Sequence, residues 1–244
     1  MKNFALLLFC SMAFQLASAQ TDDRFKSVSD ALGRLKKTMS SEEAEEFVEE
    51  DDGLETVTSS FGLFDLGVNI LMQDGSVKIT EPYAMLDEQS YFRSINFNVY
   101  LFRQRVNFAN HKLNLMYGLG MEVHNYGFTS DFSFVPDMDV LTLEPVPKEL
   151  KKNKLVSTGF SVPLTLGLET NPYNKFKSFR IAGGGFVGVV ARAHTKQKDG
   201  DKRKVKQADS YNLNRLRYGV TGTIGYGPIN FYLNYNFSSL FKKD

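Results

Sequence analysis

Phe231-Tyr232-Leu233-Asn234-Tyr235-Asn236-Phe237 places Phe231, Leu233, Tyr235 and Phe237 on one face and Tyr232, Asn234 and Asn236 on the other. Only a period of two residues sorts side chains in this way, and it belongs to a strand. The same sorting recurs upstream. Phe64, Leu66, Val68 and Ile70 oppose Asp65, Gly67 and Asn69, while Ile95, Phe97, Val99 and Leu101 oppose Ser94, Asn96 and Asn98. Leu113, Leu115, Tyr117, Leu119, Met121 and Val123 oppose Asn114, Gly118, Gly120, Glu122 and His124. Phe160, Val162, Leu164, Leu166 and Leu168 oppose Ser157, Gly159, Ser161, Thr165 and Gly167. In the glycine-rich stretch Phe179 to His194, Arg180, Arg192 and His194 share one parity, with Ile181, Val187 and Val189 on the other. Leu216, Tyr218, Val220 and Ile224 oppose Arg217, Gly219, Thr221, Thr223 and Gly225.

Alternation alone also suits a soluble sandwich. Three features point instead to a barrel standing in a membrane. Most runs reach the roughly 9 to 11 residues that a tilted strand needs to cross the hydrocarbon. Aromatic residues (Tyr91, Phe92, Phe102, Tyr126, Phe128, Tyr211, Tyr226) gather toward strand ends, as interfacial girdles do. The polar parity is rich in Gly, Ser, Thr and Asn, which suits a narrow lumen filled by side chains. Connections also alternate: long at Gln73 to Ser90, Phe128 to Lys154 and Thr195 to Ser210, short at Arg105 to Asn110, Thr170 to Lys177 and Gly227-Pro228. Outer-membrane barrels keep short turns in the periplasm and long loops outside, so a chain entering from the periplasm satisfies every link. The expected fold is all-β: an antiparallel up-and-down transmembrane β-barrel with seven visible strands and a short N-terminal helical extension.

Residues 1–19 read as a cleaved secretory signal: Lys2, an apolar run from Phe4 to Phe14, and Ala17-Ser18-Ala19 before Gln20. The run is too short to span a bilayer as a helix. The single cysteine, Cys10, lies in this signal and lacks the small residues that precede a lipid-modified cysteine, so no lipid anchor is expected. Residues 20–55 are expected to form a periplasmic helical extension, and 56–244 the barrel. Phe25, Val28, Leu32, Leu35 and Met39 make one helical stripe, and Ser40 with Glu43 resembles a capping box opening a second, acidic helix. This stripe packs on itself or the barrel rim, or docks a periplasmic or secretion-apparatus protein.

A formal net charge of +1 gives no electrostatic case for a nucleic-acid partner. Charge is sorted locally: Glu42 to Asp52 is acidic, whereas Lys196, Lys198, Lys202, Arg203, Lys204 and Lys206 make a basic outer loop. Such a loop is solvated, or it faces the phosphates of outer-membrane lipid and surface glycolipid. Asp65, Glu122, Arg180, Arg192 and Arg217 share the inward parity and must pair or find water there, so they are expected to form a structural lumen network. His124 and His194 fall near outer strand ends and His111 in a turn; no catalytic set, metal ligand spacing or cofactor is expected from them. Gly183-Gly184-Gly185 lacks the phosphate-loop pattern and its helix, and instead permits a strongly coiled sheet. Pro163 calls for a bulge or a local break in pairing.

Asn110-His111-Lys112-Leu113-Asn114-Leu115, Lys152-Asn153-Lys154-Leu155-Val156 leading into Val162-Pro163-Leu164, His194-Thr195-Lys196-Gln197-Lys198, and Leu213-Asn214-Arg215-Leu216-Arg217-Tyr218 with Ile224-Gly225-Tyr226-Gly227 together resemble the PorT-like outer-membrane β-barrel domain common in Bacteroidota, over about Phe61 to Lys243. The resemblance implies an eight-stranded barrel with a structural or transport-associated role and no catalytic residues; one family member serves a protein-secretion apparatus. Relatives continue past a segment like Ser238-Ser239-Leu240-Phe241 into a last strand, whereas this chain stops at Asp244. The expectation is either a copy lacking its eighth strand, or closure by a stretch such as Ser76 to Tyr83.

The expected function is an integral outer-membrane protein, structural or accessory to export, without an open pore or catalysis. The alternatives are a secreted lipocalin-like ligand carrier, with apolar residues inward, and an outer-membrane lipid-modifying enzyme.

Overall fold

The computed structural model describes residues 55–138, 140–200 and 203–242. The signal, the helical extension before residue 55 and Lys202 lie outside them. The elements are β1 (Val57–Ser60), β2 (Leu63–Val68), β3 (Ile95–Phe108), β4 (Leu113–Phe128), β5 (Phe132–Phe134), β6 (Leu143–Pro145), β7 (Leu150–Glu169), β8 (Phe179–Asp199), β9 (Lys204–Ala208), β10 (Leu216–Tyr226) and β11 (Ile229–Asn236). Every pairing is antiparallel, in the order β1-β3-β4-β7-β8-β10-β11. β1 and β2 lie end to end along β3, with Gly62 at φ 68° between them, so together they make one crossing. β9 extends the sheet beside the outer half of β8. The seven crossings coincide with the seven alternating segments.

The two faces of the sheet differ as lipid and lumen do. Val162, Leu164, Leu166 and Leu168 on β7, Ile181, Val187 and Val189 on β8, and Phe231 and Leu233 on β11 are exposed, while Asn96, Asn98, Asn114, Glu122, Ser161, Arg217 and Asn236 are buried. A soluble carrier needs the opposite sense. The sheet curls far enough for Tyr232 on β11 to donate a hydrogen bond to Asn96 on β3 at 3.2 Å. Among the described residues the crossing made by β1 and β2 and the crossing β11 are the outermost of the sheet, and they do not pair with each other. The expectation that Ser76 to Tyr83 closes the wall is corrected: its bridge is Ser76 to Gln73, and Ile79 turns into the barrel mouth with its N–H on the Asp87 carboxylate at 2.6 Å.

Two bulges reset the parity of side chains. Tyr100 pairs Gly120 and Phe102 pairs Leu119, so Leu101 is an extra residue, and Arg103 and Arg105 then face inward. Val190 pairs Gly159 and Arg192 pairs Thr158, so Ala191 is extra, and Ala193 and Thr195 rather than Arg192 and His194 face inward. Pro163 breaks pairing with β4 between Tyr117↔Leu164 and Gly120↔Ser161, yet stays opposite Phe186 on β8. At Gly184 a Cβ would meet Thr165 Cα at 2.6 Å, whereas Gly183 faces lipid with nothing nearer than 4.0 Å.

Short turns lie at one end, including the Gly227-Pro228 turn with Gly227 at φ 57°; long connections lie at the other and fold over the mouth. There Phe128, Phe132 and Phe134 stack 5.1 to 5.9 Å apart, with Tyr211 5.7 Å from Phe134 and Leu71, Ile79, Leu86, Leu141, Leu155 and Leu213 around them. The β5–β6 hairpin carries this plug. Tyr126, Phe128 and Tyr211, expected in an interfacial girdle, are buried in or below the plug instead. Tyr91, Phe92 and Tyr226 are exposed, joined at the short-turn end by Tyr173 and Phe176.

Candidate functional site: a charged lumen under an aromatic plug

Below the plug, polar side chains from four strands converge. Glu122 projects inward from β4 because Gly120, Glu122 and His124 share its lumenal parity. Arg217 enters from β10, opposite Gly188, and its guanidinium donates to Glu122 Oε2 at 2.5 Å. The Ser161 hydroxyl on β7 donates to Glu122 Oε1 at 2.7 Å, so both carboxylate oxygens are engaged. Arg217 also donates to Asn236 Oδ1 at 3.2 Å and lies 5.9 Å over the Phe186 ring. These contacts offset the cost of burying two charges.

His124 is bound into the same cluster. Its Nε2 lies 2.6 Å from Arg217 Nη1, a group that only donates, so Nε2 accepts and the proton sits on Nδ1, directed at Asn69 Oδ1 at 3.2 Å. Tyr126 stacks on the imidazole with 18° between the ring planes. Ser161 is committed to Glu122 rather than to His124, so serine, histidine and carboxylate do not form a nucleophilic relay. His194 faces outward on β8, away from His124.

The remaining predicted lumen charges separate. Asp65 on β2 meets Arg103 and accepts from Tyr100, and Arg103 lies 5.2 Å over the Tyr100 ring. Arg180 sits at the short-turn end, where the buried Glu169 carboxylate pairs with Arg105 and, at 3.8 Å, with Arg180. Arg192 is exposed, and its placement in the network is corrected by the bulge at Ala191. Arg103, Arg105 and Glu169 were missed because the bulge at Leu101 reverses parity within β3, and Glu169 lies at the last position of β7. The basic stretch from Lys196 is not a free loop: Lys196 and Lys198 continue β8, and Lys204 and Lys206 return on β9.

A curled antiparallel sheet with an apolar outer belt and a lumen filled by ion pairs defines a membrane β-barrel. The chain belongs to the family described as outer membrane protein beta-barrel domain, which it matches over residues 60–242. No curated protein and no solved structure matches it.

Proposed function

We propose that this outer-membrane barrel is a PorT-like component of a Bacteroidota envelope that carries out no chemistry and conducts no solute, serving as a structural or export-accessory element. In this reading residues 1–19 are removed near Ala19, residues 20–55 stand in the periplasm available to a secretion partner, and 56–244 are the barrel domain. One observation carries the proposal: Glu122, His124, Arg217 and Ser161 satisfy one another across the lumen, beneath a plug in which Phe128, Phe132 and Phe134 are fully buried. A group that must bind substrate or pass ions needs free valences, and these are spent within the protein.

Fractionation and conductance test it together. The protein should leave the membrane only with detergent, migrate faster on a gel when unheated, and leave planar bilayers without discrete channel steps. Recovery in the soluble fraction would end the barrel reading. Regular channel steps would end the closed-lumen reading, and lipid or peptide turnover abolished in H124A would support the enzyme alternative over it.

A further inference from the structure

On the outer half of β7, β8 and β9, register places lysines side by side. Lys154 pairs Lys196, which pairs Lys206; Lys152 pairs Lys198, which pairs Lys204. These two three-strand rows lie on the outward face, because the inward parity there belongs to Asn153, Thr195 and Gln197, which pack beneath the sheet; Gln197 donates to the Phe132 carbonyl at 3.0 Å. Arg192 is on the same outward face nearer the bilayer, and Arg93 packs over Gly127 beside Lys154. Among the described residues none of these eight cations is in an ion pair. Like charges directly opposite one another destabilise a sheet, so the rows are built at a cost that an external anion would remove. Burial and the neighbouring Lys152, Lys196 and Arg93 push the Lys154 ammonium below its ordinary value, as an uncompensated cluster would.

The height of the rows selects the anion. On β7 the exposed apolar belt ends at Phe160, and Lys154 is six residues beyond it, about 20 Å along the strand at roughly 3.3 Å per residue. Strand tilt brings the rows to roughly 15 Å above the belt, with Arg192 intermediate. Beside the rows a groove of about 530 Å³ is lined by Phe92 and Ile95 together with Arg93, Lys152 and Lys154. Apolar and basic lining side by side, with cations at more than one height above the belt, fit a molecule whose acyl chains sit in the outer leaflet and whose phosphates stand above it.

We propose that the outward face of β7, β8 and β9, with the groove beside Arg93, is a docking surface for a phosphorylated glycolipid of the outer leaflet. The proposal rests on the outer-membrane reading above. The full chain, solubilised in a neutral detergent, is mixed with diphosphorylated lipid A and, separately, with its enzymatically dephosphorylated form, and lipid retained through gel filtration is measured. The phosphorylated form should be retained and the dephosphorylated form should not. K154Q/K196Q/K206Q should weaken retention roughly a hundredfold, at about fivefold for each cation removed near an anionic surface. K154R/K196R/K206R should restore it. Equal retention by the glutamine variant, or by dephosphorylated lipid, overturns the proposal. So does displacement by millimolar inorganic phosphate, which would mark a site for the free ion. If the triple variant does not fold, K196Q alone, at an exposed position, must show the fivefold loss. A folded, heat-modifiable barrel that fails these arms refutes the docking surface alone, whereas loss of detergent-dependent extraction refutes the membrane reading beneath it.

Discussion

Removing Arg217 tests whether the lumen is held by its ion pair or merely wetted. At 2.5 Å, and with the effective dielectric of about 20 that suits protein sites, the attraction between Arg217 and Glu122 is roughly 6 to 7 kcal/mol before desolvation. Desolvation of the two ions costs several kcal/mol each, so the pair itself contributes little relative to apolar residues of the same volume. Breaking it is another matter. R217M leaves the Glu122 carboxylate with the Ser161 hydroxyl alone and removes the donor to Asn236 Oδ1, and should lose about 3 to 5 kcal/mol. E122Q keeps hydrogen-bonding shape while leaving Arg217 uncompensated, and should lose about 2 to 3 kcal/mol. R217M/E122Q removes both charges and should recover to within about 1 to 2 kcal/mol of wild type, a coupling far outside the additivity of independent sites. The chain has no tryptophan, so unfolding in phosphatidylcholine vesicles is best followed as the fraction of compact, unheated gel band against urea. Losses that add within about 0.5 kcal/mol would show that water solvates both charges separately, so that Glu122 and Arg217 do not fill the lumen as a pair.

Three further outcomes are expected. G184A should fold poorly, because its Cβ would press on Thr165 Cα, whereas G183A should fold normally, and equal yields of compact band would contradict the close packing at Gly184. In intact cells, cysteines at Arg192 and His194 should react with an impermeant maleimide, while A193C and T195C should not; labelling of the second pair would remove the bulge at Ala191. Although burial alone would raise it, the Asp209 carboxyl is held below its usual range by the backbone N–H groups of Tyr211, Ser210 and Asp137. A depressed folded value means stability that is present above the unfolded value near 4 and lost as pH falls through the folded one. The outer loop should therefore open to protease in acid, and D209N should be open already at pH 7; identical digestion of the two at pH 7 would refute this.

The strands were legible because lipid and lumen impose opposite demands on successive residues, and seven alternating runs record that directly. Two kinds of information were not local enough to read. Arg103 and Arg192 exchanged faces because one unpaired residue, Leu101 or Ala191, shifted the phase, and neither residue type announces a bulge. The fate of Phe128, Tyr126 and Tyr211 depended on loops folding inward, since an aromatic at a strand end serves an interface or a plug equally well. Glu122 and Arg217 could be assigned to the lumen from parity, but their contact depends on how tightly the sheet curls, as does the partnership of Asp65 with Arg103.

The bulge at Ala191 holds one spare residue, and the surface beyond it does not depend on that residue's presence. Deleting Ala191 would join Val190, inward opposite Gly159, directly to Arg192, outward opposite Thr158, so plain alternation would leave Arg192, His194, Lys196 and Lys198 outside and Thr195 and Gln197 within. Pulling the bulge flat with Ala191 retained is the change that would turn every one of those side chains to the other face. Among relatives, a one-residue gap at this point is therefore compatible with the same outer surface, whereas an equal length without the bulge is not.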